Sequence, residues 1–139
     1  MVEAKVVKDI AAPGADVFGA LCVFDGIKAG GPIDAVRYEG EGVGMMRYLS
    51  MGGGEVVERL DVHDTESLTM TYSITNDDSP LPFMNYSATV QITDHGDGTC
   101  TVDWTGNFDP RGDAEAAINT ATGIYAGGIK GAKLQLGVD

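Results

Sequence analysis

Arg47 and Glu58 are the charges whose neighbours make them chemically informative. Arg47 alternates at every second position with Val43, Met45, Leu49 and Met51, and Glu58 with Val56, Leu60 and Val62. That period sets each charge on the apolar face of a β-strand. An ion there is costly unless it is paired or used. Two readings stay open: a structural salt bridge across a hairpin, or a general acid/base couple. In the second, Glu58 moves a proton and Arg47 stabilises developing negative charge. Tyr86 shares a face with Met84, Ala88, Val90 and Ile92, which points it inward. A buried tyrosine needs a partner for its hydroxyl; core packing and ligand contact meet that need equally.

The remaining candidates are weaker. Met45, Met51, Met70 and Met84 suit an adaptable apolar pocket, though a plain core reads the same. Period two puts Asp103 and Trp104 on opposite faces, and Trp104 is the natural core residue unless a bulge shifts the register. His63, between Asp61 and Asp64, falls at a strand end and is expected to be exposed; His95 lies in a hairpin. Cys22 and Cys100 are far apart and read as buried thiols. Without C-x-x-C or H-x-x-x-H spacing, neither a metal site nor a cofactor is implied.

The elements that must position these groups follow from periodicity. Residues 3–11 read as a first strand. Pro13 opens a helical segment with Val17, Phe18, Leu21 and Cys22 on one face, stopped by Ala29-Gly30-Gly31-Pro32. Two short helices are expected there. From residue 33 to about 110 the period is two, with turns at 40–42, 52–54, 76–82 and 96–98. Asp113 then caps a long helix, and Glu115 sits in its first turn. Ala114, Ala117, Ile118, Ala121, Ile124, Tyr125, Gly128, Ile129, Ala132 and Leu136 trace one face of it at a spacing near 3.6. Each of Gly123, Gly127, Gly128 and Gly131 weakens that helix by about 1 kcal/mol relative to alanine, so close approach to a sheet or room for a ligand is expected. The fold class is α+β, of the helix-grip type: a curved antiparallel sheet of about seven strands wrapped round the C-terminal helix.

Composition bounds the rest. At 139 residues, 43% hydrophobic and 22% charged, the chain is one globular domain spanning 1–139. A net charge of −12 repels phosphate backbones and anionic headgroups, which argues against nucleic-acid and membrane partners. No apolar run has the length of a membrane span, and the first residues lack a signal peptide's apolar core. The expectation is a cytoplasmic protein, with a homodimer left open.

Three stretches carry a resemblance: Glu58-Arg59-Leu60-Asp61, Asn85-Tyr86, and Val102-Asp103-Trp104 leading to Phe108-Asp109-Pro110. In order and spacing they resemble the START/Bet v 1 (SRPBCC, polyketide cyclase-like) superfamily, in the branch of the plant abscisic-acid receptors and lachrymatory-factor synthase. The resemblance implies a shielded cavity between sheet and helix, closed by two loops at residues 51–56 and 77–83. It does not imply hormone reception, because those receptors' loop sequences are absent and Gly30-Gly31-Pro32 stands where their basic residue would be. The synthase-like branch implies an arginine and a glutamate projecting from adjacent strands, here Arg47 and Glu58. It also implies a pocket tyrosine, Tyr86, that orients the substrate, and an acidic residue at Asp103.

The expected function is therefore binding of a small apolar or aromatic molecule, with cofactor-free proton-transfer chemistry on it: cyclisation, dehydration, isomerisation or elimination, the range of a lyase or isomerase. The alternative is a non-catalytic carrier or sensor. Arg47, Glu58 and Tyr86 are the expected catalytic residues. Met45, Leu49, Leu60, Met70, Tyr72, Met84, Asp103, Tyr125 and Gly128 are the expected lining, with residues 52–54 and 77–82 at the mouth.

Overall fold

The strands between Met46 and Pro110 bury side chains largely at every second position, and two β-bulges, one between Leu60 and Val62 and one between Met84 and Ser87, interrupt that alternation. The computed structural model describes residues 1–139. The order is β1 (Val2–Ile10), α1 (Gly14–Leu21), β2 (Ala35–Glu39), β3 (Met46–Met51), β4 (Gly54–Asp64), β5 (Thr69–Ile74), β6 (Phe83–Asp94), β7 (Cys100–Pro110) and α2 (Ala114–Leu136). All neighbours are antiparallel, in the order β1-β7-β6-β5-β4-β3-β2, so β2 to β7 form a meander and β1 closes onto β7. The concave face holds Val56, Glu58 and Leu60 of β4, Met70 and Tyr72 of β5, and Val102, Trp104 and Phe108 of β7, all buried.

Helix α2 fills that face. Asp113 caps it by accepting from the Ala116 amide at 2.8 Å, and Gly137 ends it in the left-handed conformation. There the Gly137 and Val138 amides donate to Leu134 O and Lys133 O, the Schellman pattern. Trp104 stacks on Tyr125 with centroids 4.7 Å apart.

One helix, not two, follows β1. Residues 22–34 run as an irregular linker, because Gly26, Gly30, Gly31 and Pro32 break any second helical run. Three expected facings also change. Val43 is 61% exposed, since β3 begins only at Met46 and positive-φ Gly42 and Gly44 turn the chain before it. Val62 is exposed because a bulge between Leu60 and Val62 adds a residue to β4. Met84 is exposed because a bulge between Met84 and Ser87, with Asn85 at φ 54, gives its inward place to Phe83. Asparagine tolerates that conformation better than most residues.

Adjacent glycines of α2 now separate in role. A Cβ on Gly128 would lie 2.8 Å from the Trp104 ring, whereas one on Gly127 would meet nothing within 4 Å. Gly127 thus faces solvent, contrary to the expectation that it lies against the sheet or a cavity. Gly128→Ala should cost stability, and Gly128→Leu about 1–3 kcal/mol through overpacking. Gly127→Ala should add up to about 1 kcal/mol through helix propensity alone. Urea midpoints of the variants, compared at equal slope, check the opposite signs.

Candidate functional site

The inner end of the site is an ion pair. Arg47 on β3 and Glu58 on β4 are directly opposed in register, and each is 6% exposed. The guanidinium donates from Nε to Oε1 at 2.8 Å, and its Nη2 lies 2.7 Å from the same oxygen as the close contact of the ion pair. Glu58 Oε2 makes no protein hydrogen bond, so one carboxylate oxygen remains an open acceptor. The third guanidinium nitrogen, Nη1, donates to the carbonyl of Phe24 at 3.0 Å, and the Phe24 ring lies 4.1 Å from the guanidinium carbon. Phe24, itself buried, comes from the linker, an origin that strand periodicity cannot reveal.

Next to the pair runs a line of three phenols. Tyr72 and Tyr86 hydroxyls are 3.1 Å apart, and Tyr86 and Tyr125 hydroxyls 2.5 Å. The line joins β5, β6 and α2. Tyr86 is its middle member, with a hydroxyl neighbour on each side, and Tyr72 is the member nearest Arg47, 5.9 Å from ring centroid to guanidinium carbon. Gly106 on β7 is required beneath it, because an added Cβ would collide with the Tyr125 hydroxyl. Burial pushes Tyr125 up to about 12 and holds Tyr72 and Tyr86 well above the ordinary tyrosine value. The phenols are therefore neutral donors at physiological pH. Trp104 Nε1, also buried in this interior, has no hydrogen-bond partner.

Two cavities flank the linker. The first, about 440 Å³, lies between α1, the β2–β3 loop and β4, with Phe18, Phe24, Met45, Leu60 and His63 in its wall. The second, about 600 Å³, lies between the linker and the C-terminal half of α2, against Leu21, Trp104, Gly128 and Ala132. Val23 belongs to both. Met45 and Leu60 line the first cavity and Gly128 the second, so the expected lining residues divide between two cavities. Leu49, Met70, Tyr72, Tyr86 and Tyr125 are buried in the interior but line neither cavity.

Other expectations are corrected. Met84 points outward through its bulge. Asp103 is on the convex face, 3.2 Å from Lys5 Nζ and bonded to Thr105 Oγ1 at 2.6 Å, because strict alternation in β7 gives the interior to Trp104. Residues 52–54 and 77–82 line neither cavity. Gly52 and Gly54 pack on Pro80, and Arg111 Nη1 holds Ser79 O at 2.7 Å, so these loops close on each other. His63 is exposed as expected, yet its ring packs on Phe18 and its Nε2 bonds to Cys22 O at 3.0 Å. Burial raises the Cys22 thiol to about 12, which removes it as a nucleophile. No three His, Cys, Asp or Glu side chains are grouped to hold a metal ion, and no helix is long and apolar enough to cross a membrane.

The comparisons with known proteins agree with this architecture. The family model described as "Polyketide cyclase / dehydrase and lipid transport" matches residues 1–137. No curated protein matches the sequence. Among solved structures, the chain is similar to the protein XoxI from Bacillus cereus, at 28% identity over 97% of this chain and 95% of that one, with a TM-score of 0.81. It is similar to Ara h 8.0201 at 18% identity over 95% and 94%, TM-score 0.76. It is also similar to norcoclaurine synthase from Thalictrum flavum, solved with dopamine and hydroxybenzaldehyde, at 17% identity over 97% and 86%, TM-score 0.75. The last two likenesses carry the shared fold alone.

The phenol line has a pH signature. A tyrosine whose folded pKa is raised contributes stability that is complete below its unfolded value of 10.0 and is lost as pH climbs through the folded value, about 12 for Tyr125. Stability should therefore fall between about pH 10 and 12, Cys22 adding a loss of the same sign from 9.0 upward. Tyrosinate absorbance should show a late step for Tyr72, Tyr86 and Tyr125 that coincides with loss of circular dichroism.

Proposed function

The chain belongs to the polyketide cyclase / dehydrase and lipid transport family, and from that premise we propose that it takes a small apolar or aromatic molecule between sheet and helix and moves a proton on it. The observation that carries this reading is the buried Arg47–Glu58 pair whose Oε2 stays open, joined through Phe24 to the wall of an apolar cavity. Glu58 Oε2 accepts the proton, with no metal or cofactor in the step. Arg47, fixed by its hydrogen bond and ion pair to Oε1, sets positive charge where an enolate or alkoxide develops on the substrate. Hydrogen bonding along the phenol line fixes the Tyr86 hydroxyl, and substrate orientation passes through Tyr72, its neighbour on the Arg47 side. Proton abstraction followed by ring closure or loss of water is the chemistry such a set supports.

A carrier role is favoured by one observation: neither cavity has Arg47 or Glu58 in its wall. A panel of aryl β-diketones, followed by mass spectrometry for ring closure or loss of water and by calorimetry for binding, separates the two. Glu58→Gln should lower turnover at least about a hundredfold with little change in binding. Arg47→Lys should impair both, since an ammonium cannot reproduce the guanidinium's fork. Full activity in both variants would remove Glu58 and Arg47 from the step, and tight binding without conversion in the wild type would leave the carrier reading in place.

A further inference from the structure

The linker that brings Phe24 into the interior is attached in an unusual way. No backbone hydrogen bond joins residues 23–29 to any other segment; their one such bond is internal, from the Gly26 amide to Val23 O. Instead three side chains on three successive strands hold linker carbonyls. His63 Nε2 reaches Cys22 O at 3.0 Å, Arg47 Nη1 reaches Phe24 O at 3.0 Å, and the Tyr38 hydroxyl reaches Ile27 O at 2.7 Å. A carbonyl only accepts, so His63 carries its proton on Nε2. The segment is also a thin partition, with Val23 facing both cavities.

What Phe24 gives Arg47 has the form of a ligand. It supplies a flat π face 4.1 Å from the guanidinium carbon and an acceptor oxygen 3.0 Å from Nη1. The Glu58 bonds use Nε and Nη2 only, so exchanging the partner of Nη1 leaves the ion pair whole. Removing Phe24 from this seat would join the Arg47 site to the first cavity, whose wall it forms.

We propose that residues 23–28 are a displaceable strap, that Phe24 holds the ligand's seat over Arg47, and that the ligand displacing it is an aryl carbonyl or aryl carboxylate. The ligand class and the gate rest on the functional reading above. A seat already occupied by the protein weakens apparent affinity by the fraction of molecules in which it is open. Entry is therefore through the α1–β2 linker and not through the hairpin loops at 52–54 and 77–82.

The test uses 2-naphthoate, which carries a flat ring system and acceptor oxygens. It is titrated calorimetrically into the wild type and Phe24→Ala, and into wild-type chain carrying 4-fluorophenylalanine at position 24 for fluorine NMR. The expected result is binding at least tenfold tighter to Phe24→Ala, with the fluorine resonance moving to a solvent-like position as naphthoate saturates. Circular dichroism establishes that the variant is folded; should it not be, Phe24→Leu and the fluorine signal carry the decision. Naphthoate binding with an unmoved resonance, or no tighter binding to the folded variant, would overturn the strap and leave the pocket reading standing. Binding of naphthalene but not naphthoate would overturn the seat over Arg47. Binding of neither, to wild type or variant, would overturn the pocket reading together with the strap.

Discussion

A guanidinium and a carboxylate removed from water together constrain much of this molecule. Breaking such a buried pair by deleting one partner costs about 3–5 kcal/mol, because the survivor is left charged and dry. Arg47 and Glu58 therefore hold β3 and β4 in a single register, since a slip of one residue would carry one of them to the convex face. The same pair dictates what must lie over it. Nη1 needs an acceptor in a region with no strand to offer one, and the carbonyl of Phe24 is brought in by an irregular linker to supply it.

The aromatic interior depends on a second constraint, the approach of α2 to the sheet. Trp104 and Tyr125 stack with their planes 14° apart, and this is possible because Gly128 on the helix and Gly106 on β7 have no side chain there. Phe83 and Phe108 close the far side against Tyr86. The hydroxyls that these rings bring into the interior have no water to meet, so they bond to one another. A chemically neutral core thus ends beside a charged one, and the ligand reading places the substrate at that boundary.

The two bulges show how local irregularity selects which side chains face the interior. In β4 the extra residue turns Val62 outward and leaves His63 to pack against Phe18, next to the start of the linker. In β6 the bulge exchanges Met84 for Phe83, so a flexible lining residue is replaced by a stacked aromatic. A polyketide cyclase-like chain that loses a methionine from its interior and gains Phe24 over its arginine has a tighter resting interior than alternation alone implies.

Alternation in β3, β4 and β7 was sufficient to place Arg47, Glu58 and Trp104 inward, because period two is a property of the backbone and needs no partner. The long helix, its Asp113 cap and the use of Gly128 were legible for the same reason, being local signals of capping and spacing. The facing of Val62, Met84 and Val43 was not legible, since a bulge or an early turn is set by what the neighbouring strand must pair with. The role of Phe24 was the least legible. It sits in a segment with no period, and its position is decided by a side-chain donor 23 residues away in sequence. What the chain encodes locally is which strands carry charge into the interior; what covers that charge is decided only by long-range packing, where an unsatisfied Nη1 proton selects the nearest free carbonyl.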